Sequence, residues 1–354
     1  MKIAIHPSDL SFSSKWIAYC QANHIDYKIV DCYASDIIGQ VSDCDIVMWH
    51  HHHAYAKDKL FAKQLLFALE QLGKKVFPDF NTGWHFDDKV GQKYLLEAIG
   101  APLVPSVVFY TKKQALEWAE TTTYPKVFKL RAGAGSYNVS LAKTKRIAKK
   151  LIRRSFGRGF SPYSKWNNLK DKWMKFRKGK VPFFDVLKSM GRVVYSTRFA
   201  RIHGNEKGYV YFQDFIPNNS FDIRVVVIGE KAFAIKRMVR KNDFRASGSG
   251  NILYDKEQID EKCLRISFNI SQKLKTQCIA FDYVFDSENK PLITEINYGF
   301  DRRGYLNCLG FWDKELNWYE GKFIPEDWMV ELLIKNFNHE PVSIKDSLLA
   351  PPVV

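Results

Sequence analysis

Several familiar devices are missing from this sequence, and each absence removes a class of function. No two of its six cysteines (Cys20, Cys32, Cys44, Cys263, Cys278, Cys308) have the spacing of a zinc knuckle or a redox dithiol, so they read as buried thiols. No apolar run is long enough to span a bilayer, and the amino terminus, MKIAIHPSDL, lacks the apolar core of a signal peptide. A cytoplasmic setting with reduced cysteines is expected. Neither G-x-x-x-x-G-K-[ST] nor G-x-G-x-x-G occurs, so there is no Walker loop and no dinucleotide fingerprint. Internal repeats are absent, as are low-complexity tracts beyond the run His50 to His53. Acidic residues are scarce in one place: from Lys143 to Lys180 there are 15 Lys and Arg against a single acid, Asp171.

What is present suits an ordinary globular protein of two or three domains, with 354 residues of which 46% are hydrophobic and 15% aromatic. The formal charge of +16 is nearly accounted for by the basic segment, which points to an anionic partner. Toward the amino terminus, KIAIH (2 to 6), YKIVD (27 to 31) and DIVMWH (45 to 50) read as buried strands between amphipathic stretches. In KDKLFAKQLLFALEQLG, Leu65, Leu69 and Leu72 recur at helical spacing and Gly73 ends the helix. This alternation predicts a parallel α/β sheet. DDKVGQKYLLEAIG predicts another helix before the strand VPSVVFY, and PKVFKLRAGAGS a strand running into a small-residue loop. On the cationic helix that follows, Ile147, Leu151 and Ile152 mark a short apolar stripe. From Tyr209 onward the pattern changes to hairpins, with one helix near Lys256 to Lys275.

The hairpin IAFDYVFDSENKPLITEIN carries the clearest chemistry. A loop from Ser287 to Lys290 sets Asp286 against Pro291 and therefore Asp282 against Glu295, with Asn297 on the same face as Glu295. Two carboxylates about 5 Å apart repel by roughly 3 kcal/mol at an effective dielectric near 20. A hard metal relieves that repulsion, and an all-oxygen set favours magnesium or manganese over zinc; a solvated pair beside a lysine is the alternative. In the preceding hairpin a turn at Gly229-Glu230 opposes Asp222 to Arg237 and puts Arg224 on the same side, whereas a longer turn would oppose Lys236 to Arg224. Arginines among strands either meet an anion or form a structural ion pair. Lys129 closes the strand KVFKL just before Gly133-Ala134-Gly135-Ser136, a pattern that fits either a phosphate-approaching loop or a plain surface turn.

In this order, the segments resemble the ATP-grasp superfamily, above all its glutathione synthetase and ribosomal-protein glutamate-ligase branch, from about Asn81 to Arg303. NTGWHFDDKVGQKYLLEAIGAPLVPS resembles the entry, KVFKLRAGAGS the lysine strand, YFQDFIPNNSFDIRVVVIGEKAFAIKRM the adenine hinge, RASGSGN the arginine loop, and FDYVF with TEINYG the metal hairpin. The resemblance implies an ATP-grasp fold of α/β (α+β) class: an α/β domain over 1–110, a central subdomain over 111–212 containing the basic insert 143–180, a subdomain over 213–337, and a tail over 338–354. It implies that Lys89, Lys129, Gly133, Gly135 and Ser136 contact ATP phosphates, that Gln213, Asp214, Phe215 and Ile216 hold adenine, and that Asp222 sits near the ribose. Arg224, Arg237 and Arg245 would stabilise transferred phosphate, while Asp282, Glu295 and Asn297 would bind two magnesium ions, or manganese. The sequence departs from the family after Asn297, where Tyr298-Gly299-Phe300 stands in place of a small residue, Pro and Gly.

Such enzymes join a carboxylate to an amine through an acylphosphate. That is the first expectation here, with an anionic surface polysaccharide or its precursor as a candidate substrate. An ATP-grasp kinase acting on a hydroxyl and a nucleotide-responsive binding protein without turnover are the alternatives. The insert, with Phe156, Phe160, Tyr163, Trp166, Trp173 and Phe176 among its cations, fits an anionic membrane or glycan ahead of nucleic acid, or else a solvated lid surface. His50 to His53 follow a strand at the end where α/β sheets bind ligands, so substrate contact is possible there and a metal site made of sequence neighbours is disfavoured.

Overall fold

The computed structural model describes residues 1–9, 11–53, 55–133, 139–161, 204–240, 248 and 250–339. Gly135, Ser136 and Arg245, the basic insert beyond residue 161 and the tail beyond residue 339 lie outside the described residues. Strands β1 (Ile3–Ile5), β2 (Tyr27–Ile29), β3 (Ile46–Met48) and β4 (Lys75–Phe77) form a parallel sheet in the order β2-β1-β3-β4. Parallel strands bury both faces, which is why Ile3 to Ile5 and Ile46 to Met48 are continuous apolar runs with no exposed surface. Helices α1 (Ser13–Ala22), α2 (Ile37–Gln40) and α3 (Ala56–Gln71) connect them. The buried stripe of α3 is Asp58, Ala62, Leu66 and Leu69, not Leu65, Leu69 and Leu72. Leu72 is the cap residue, already turned outward as the chain enters Gly73 at φ +78°.

The short helix α4 (Phe80–Gly83) and α5 (Lys89–Ala98) start on Asp79 and Asp88, whose carboxylates accept from the Thr82 and Gly91 N–H groups. A second, antiparallel sheet joins β5 (Ser106–Phe109), β6 (Lys126–Lys129), β7 (Val139–Ala142) and β8 (Val210–Asp214) in the order β5-β8-β6-β7. Helices α6 (Lys112–Thr121) and α7 (Lys145–Ser155) cover one face, where Ala115, Ala119, Ala148 and Ile152 pack on Phe128 and Phe212. The expected stripe on α7 therefore shifts: Ala148, Ile152 and Ser155 are buried, while Ile147 is exposed among cations.

The third sheet runs β13-β12-β9-β10-β14-β15, with β11 (Ile252–Leu253) pairing to β10. Its strands are β9 (Phe221–Ile228), β10 (Lys231–Met238), β12 (Cys278–Phe285), β13 (Pro291–Asn297), β14 (Gly310–Asp313) and β15 (Trp318–Glu320). Alternation along β9 and β12 sends Ile223, Val225, Ile279 and Phe281 toward α8 (Glu261–Leu274). Val226, Ile228, Cys278 and Ala280 go to the opposite face, packing with Trp16 of α1 and Met329 and Leu333 of α9 (Pro325–His339). The first and third sheets thus share one core, leaving the second sheet to face the third across a cleft.

Candidate functional site

The cleft has a volume of about 420 Å³, within the usual range for small-molecule sites. Most of the residues singled out from sequence line it: Lys89, Lys129, Gly133, Gln213, Asp214, Phe215, Ile216, Asp222, Arg224, Asp282, Glu295 and Asn297. Val127, Val139, Val284 and Ile296 supply an apolar wall that sequence reading did not identify, because an inward valine in a strand looks the same whether it faces a core or a cleft.

Asp282 does stand opposite Glu295, though by a different route from the one expected. The turn is longer, so that Phe285, not Asp286, faces Pro291. Continued unbroken, that register would oppose Asp282 to Thr294. A bulge between Asp282 and Tyr283 leaves Thr294 unpaired and restores the Asp282–Glu295 pairing. The bulged Thr294 takes on other partners: its hydroxyl donates to the Asp282 carbonyl at 3.1 Å, and its carbonyl accepts from Lys129 Nζ at 3.3 Å and, at 3.5 Å, from Gln213 Nε2. Lys129 and Gln213 belong to the second sheet, so this one carbonyl ties the two sides of the cleft together.

The preceding hairpin follows the two-residue turn, pairing Ile228 with Lys231 and Asp222 with Arg237. Arg237 grips both oxygens of Asp222 at 2.6 and 2.7 Å and also donates to Asp282 Oδ1 at 2.9 Å. It is buried behind the carboxylates and does not line the cleft, so the ion-pair reading describes its contacts, and the Asp222 carboxylate is fully engaged. Arg224 does line the cleft; its Nε lies 3.5 Å from Asp282 Oδ1 and finds no hydrogen bond among the described residues. Burial works to raise the Asp282 pKa, but Arg224 and Arg237 outweigh it and hold the carboxyl below the usual range.

Lys89 opens α5 and reaches across to Glu295 Oε1 at 3.0 Å while donating to the Gly133 carbonyl at 2.9 Å. Burial opposes its charge, yet Glu295 and Asp87 prevail and its pKa rises. Among the described residues Lys129 has no such direct carboxylate, and burial pushes it down to about 8 despite the pull of Glu295. Gly133 adopts φ +118°, and its N–H donates to Asp87 Oδ1 at 2.6 Å, a partner the sequence did not suggest. Lys126, also unforeseen, holds Asp214 at 2.6 Å across β6 and β8. Gln213 is buried and directs its amide to Ser106 and Tyr211.

The donor set of Asp282, Glu295 and Asn297 is all oxygen, and neither Asp282 Oδ2 nor Glu295 Oε2 takes a hydrogen bond among the described residues. Among the described residues Asn297 Oδ1 accepts only the Gly299 N–H, at 2.9 Å, leaving a lone pair. These residues fit a hard divalent cation.

The histidine loop lies next to this strand end. His50 accepts from the Phe12 N–H through Nδ1 and stacks on that ring at 3.8 Å, and the His51 carbonyl accepts the Tyr298 hydroxyl at 2.6 Å. A Cβ on Gly299 would lie 3.3 Å from His50 Nε2. The residues after Asn297, where the sequence departs from the family, are thus clasped by Phe12, His50, His51 and Phe86.

A family model described as the RimK-like ATP-grasp domain matches residues 199–307. Among curated proteins no sequence match is found. Of solved structures, D-cycloserine synthetase superposes with a TM-score of 0.57 at 12% identity, over 95% of this chain and 99% of that one. A RimK domain ATP-grasp protein from Sphaerobacter thermophilus gives 0.53 at 13% identity, over 95% and 100%. D-alanine–D-alanine ligase from Bacillus anthracis gives 0.53 at 15%, over 96% and 99%. At these identities the structural likeness speaks for the fold, while the family model speaks for the segment bearing the hinge and both hairpins. The chain has the ATP-grasp fold, and its residues 199–307 match the RimK-like ATP-grasp domain.

Proposed function

We propose that the protein is an ATP- and magnesium-dependent ligase that joins a carboxylate to an amine. The observation that carries this reading is the meeting, in one cleft, of an apolar wall (Val127, Val139, Val284), phosphate-suited cations (Lys89, Lys129, Arg224) and the oxygen set of Asp282, Glu295 and Asn297. A substrate carboxylate oxygen attacks the γ-phosphorus, the bond to the bridging oxygen breaks and ADP leaves; an amine then attacks the acyl carbon, expelling phosphate and losing a proton. Catalysis of this kind rests on positioning and charge neutralisation and needs no protein nucleophile. Adenine fits the apolar wall beside Phe215 and Ile216, and Lys89 and Lys129 meet the phosphates. Arg224, with a spare donor, meets the charge that develops on the transferred phosphoryl group. Magnesium held by Asp282, Glu295 and Asn297 would supply electrophilic stabilisation of the phosphate oxygens.

For the substrate, the surface of α7 favours an anionic polymer, such as a surface polysaccharide or its precursor. Lys143, Arg146, Lys150, Arg153 and Arg158 have no ion-pair partner among the described residues, and only Glu120 answers this face, through Lys145 and Lys149. The same face suits docking at the inner membrane surface, and a need for ATP fits a cytoplasmic setting. Among the described residues no helix is long and apolar enough to cross a membrane.

Calorimetry of ATP, with and without magnesium, tests the reading on the native protein and on an Asp282→Asn, Glu295→Gln double variant. Magnesium-dependent binding that the variant loses supports it, and screening acids and amines for ADP release with amide formation then separates a ligase from a kinase. Absence of ATP binding at saturating nucleotide, from folded protein, would sink it.

A further inference from the structure

The carboxylates proposed to hold the metal already have cationic partners. Arg237 and Arg224 attend Asp282, at 2.9 and 3.5 Å, and Lys89 sits 3.0 Å from Glu295. Lys129 lies close enough for Glu295 and Asp282 both to act on its charge. All four cations are buried or nearly so, with Lys89 only 5% and Lys129 only 7% exposed, so water screens them little. Among the described residues, Asp222, Asp282 and Glu295 are thus attended by Lys89, Lys129, Arg224 and Arg237, while Asp87, paired with Lys59 at 2.9 Å, also attracts Lys89. Among the described residues no three side chains of His, Cys, Asp or Glu converge as a metal cage.

Resting on the proposed nucleotide site, we infer that the metal cannot enter before the nucleotide, because the Lys89 ammonium holds the metal's place against Glu295 until phosphate oxygens draw it away. A divalent cation beside Glu295 would lie within about 5 Å of the Lys89 ammonium, a repulsion worth at least a tenfold loss of affinity even at the dielectric of water. Nucleotide phosphates reverse the balance. They add several negative charges, give Lys89 and Lys129 a new anion, and free Glu295 Oε1. Lys89 is thus a gate on the metal as well as a phosphate contact, and by linkage nucleotide and metal must raise each other's affinity by the same factor.

The test is Mn²⁺ binding followed by electron paramagnetic resonance on the full chain, first without nucleotide and then with saturating ADP. Native protein should show no saturable Mn²⁺ site without nucleotide up to millimolar metal, and one with ADP. Lys89→Met, which keeps the buried stem and removes the charge, should bind Mn²⁺ without nucleotide at least about tenfold more tightly than native protein. Lys129→Met should shift affinity in the same direction. Native protein that binds Mn²⁺ without nucleotide as tightly as Lys89→Met would overturn the inference, and so would a saturable Mn²⁺ site in native protein without nucleotide, a result that does not depend on any variant folding. ADP binding with Mn²⁺ affinity indifferent to it would overturn the gate but leave the ligase reading intact, whereas no ADP binding at all would remove both.

Discussion

His85 has no exposed surface, and neither of its ring nitrogens finds a hydrogen-bond partner among the described residues. Burial pushes its pKa down to about 4, and the same cause takes His51 to about 3 and His52 to about 4. These imidazoles are neutral in the folded protein and titrate near 6.5 once unfolded. With the folded value below the unfolded one, the unfolded chain takes up protons first, so stability is complete above about pH 6.5 and falls as the pH drops toward about 4. Urea unfolding at a series of pH values should show this loss. His85→Leu should flatten it by about 1.4 kcal/mol per pH unit in that window; an unchanged slope would mean that His85 is protonated in the folded state. Sequence revealed the run of histidines but not this burial, because a histidine beside a strand end reads the same whether solvent or Phe12 covers it.

At the scale of elements, the two hairpins show how far strand alternation carries. It placed Asp222 against Arg237 correctly, because a two-residue turn at Gly229-Glu230 leaves no freedom of register. In the second hairpin the turn is one residue longer than alternation predicts and the Thr294 bulge compensates, so the Asp282–Glu295 pairing holds for a reason that alternation cannot supply. The clasp on the strand end beyond Asn297 is not legible either, since its residues come from the segments that follow β1 and β3 and from the α4–α5 connection. Tyr298 has no exposed surface and gives its hydroxyl to His51. Tyr298→Phe should therefore cost about 1–2 kcal/mol in chemical denaturation by leaving the His51 carbonyl without that donor. A change of only a few tenths would show that the ring packing, not the hydrogen bond, fastens the clasp.

For the whole molecule, the uneven charge is the feature with the longest reach. The described segment 143–161 contains eight cations and no acid, and α7 turns most of them outward from a helix fixed by Ala148 and Ile152. Vesicles rich in phosphatidylglycerol should co-sediment with the protein at low ionic strength, and binding should fade as salt shortens the screening length. Reversal of Arg146, Lys150 and Arg153 to Glu should abolish co-sedimentation while leaving ATP affinity unchanged, because these residues stand outside the cleft. Co-sedimentation that persists in the reversed variant would remove α7 as the contact surface.

The sequence by itself determined the period of the strands and helices read from it, though β14, β15 and α9 escaped that reading, together with the parallel character of the first sheet and the candidate residues of the cleft, because alternation and helical spacing are imposed locally by the backbone. Only the tertiary structure decided which of those residues meet. Lys89 begins a helix far from Glu295 in the chain, Lys126 finds Asp214 across a sheet, and the carbonyl of a bulged threonine receives Lys129 from the opposite wall. Such meetings depend on how buried faces pack against one another, and a one-dimensional pattern specifies which face is buried but not the partner it is buried against.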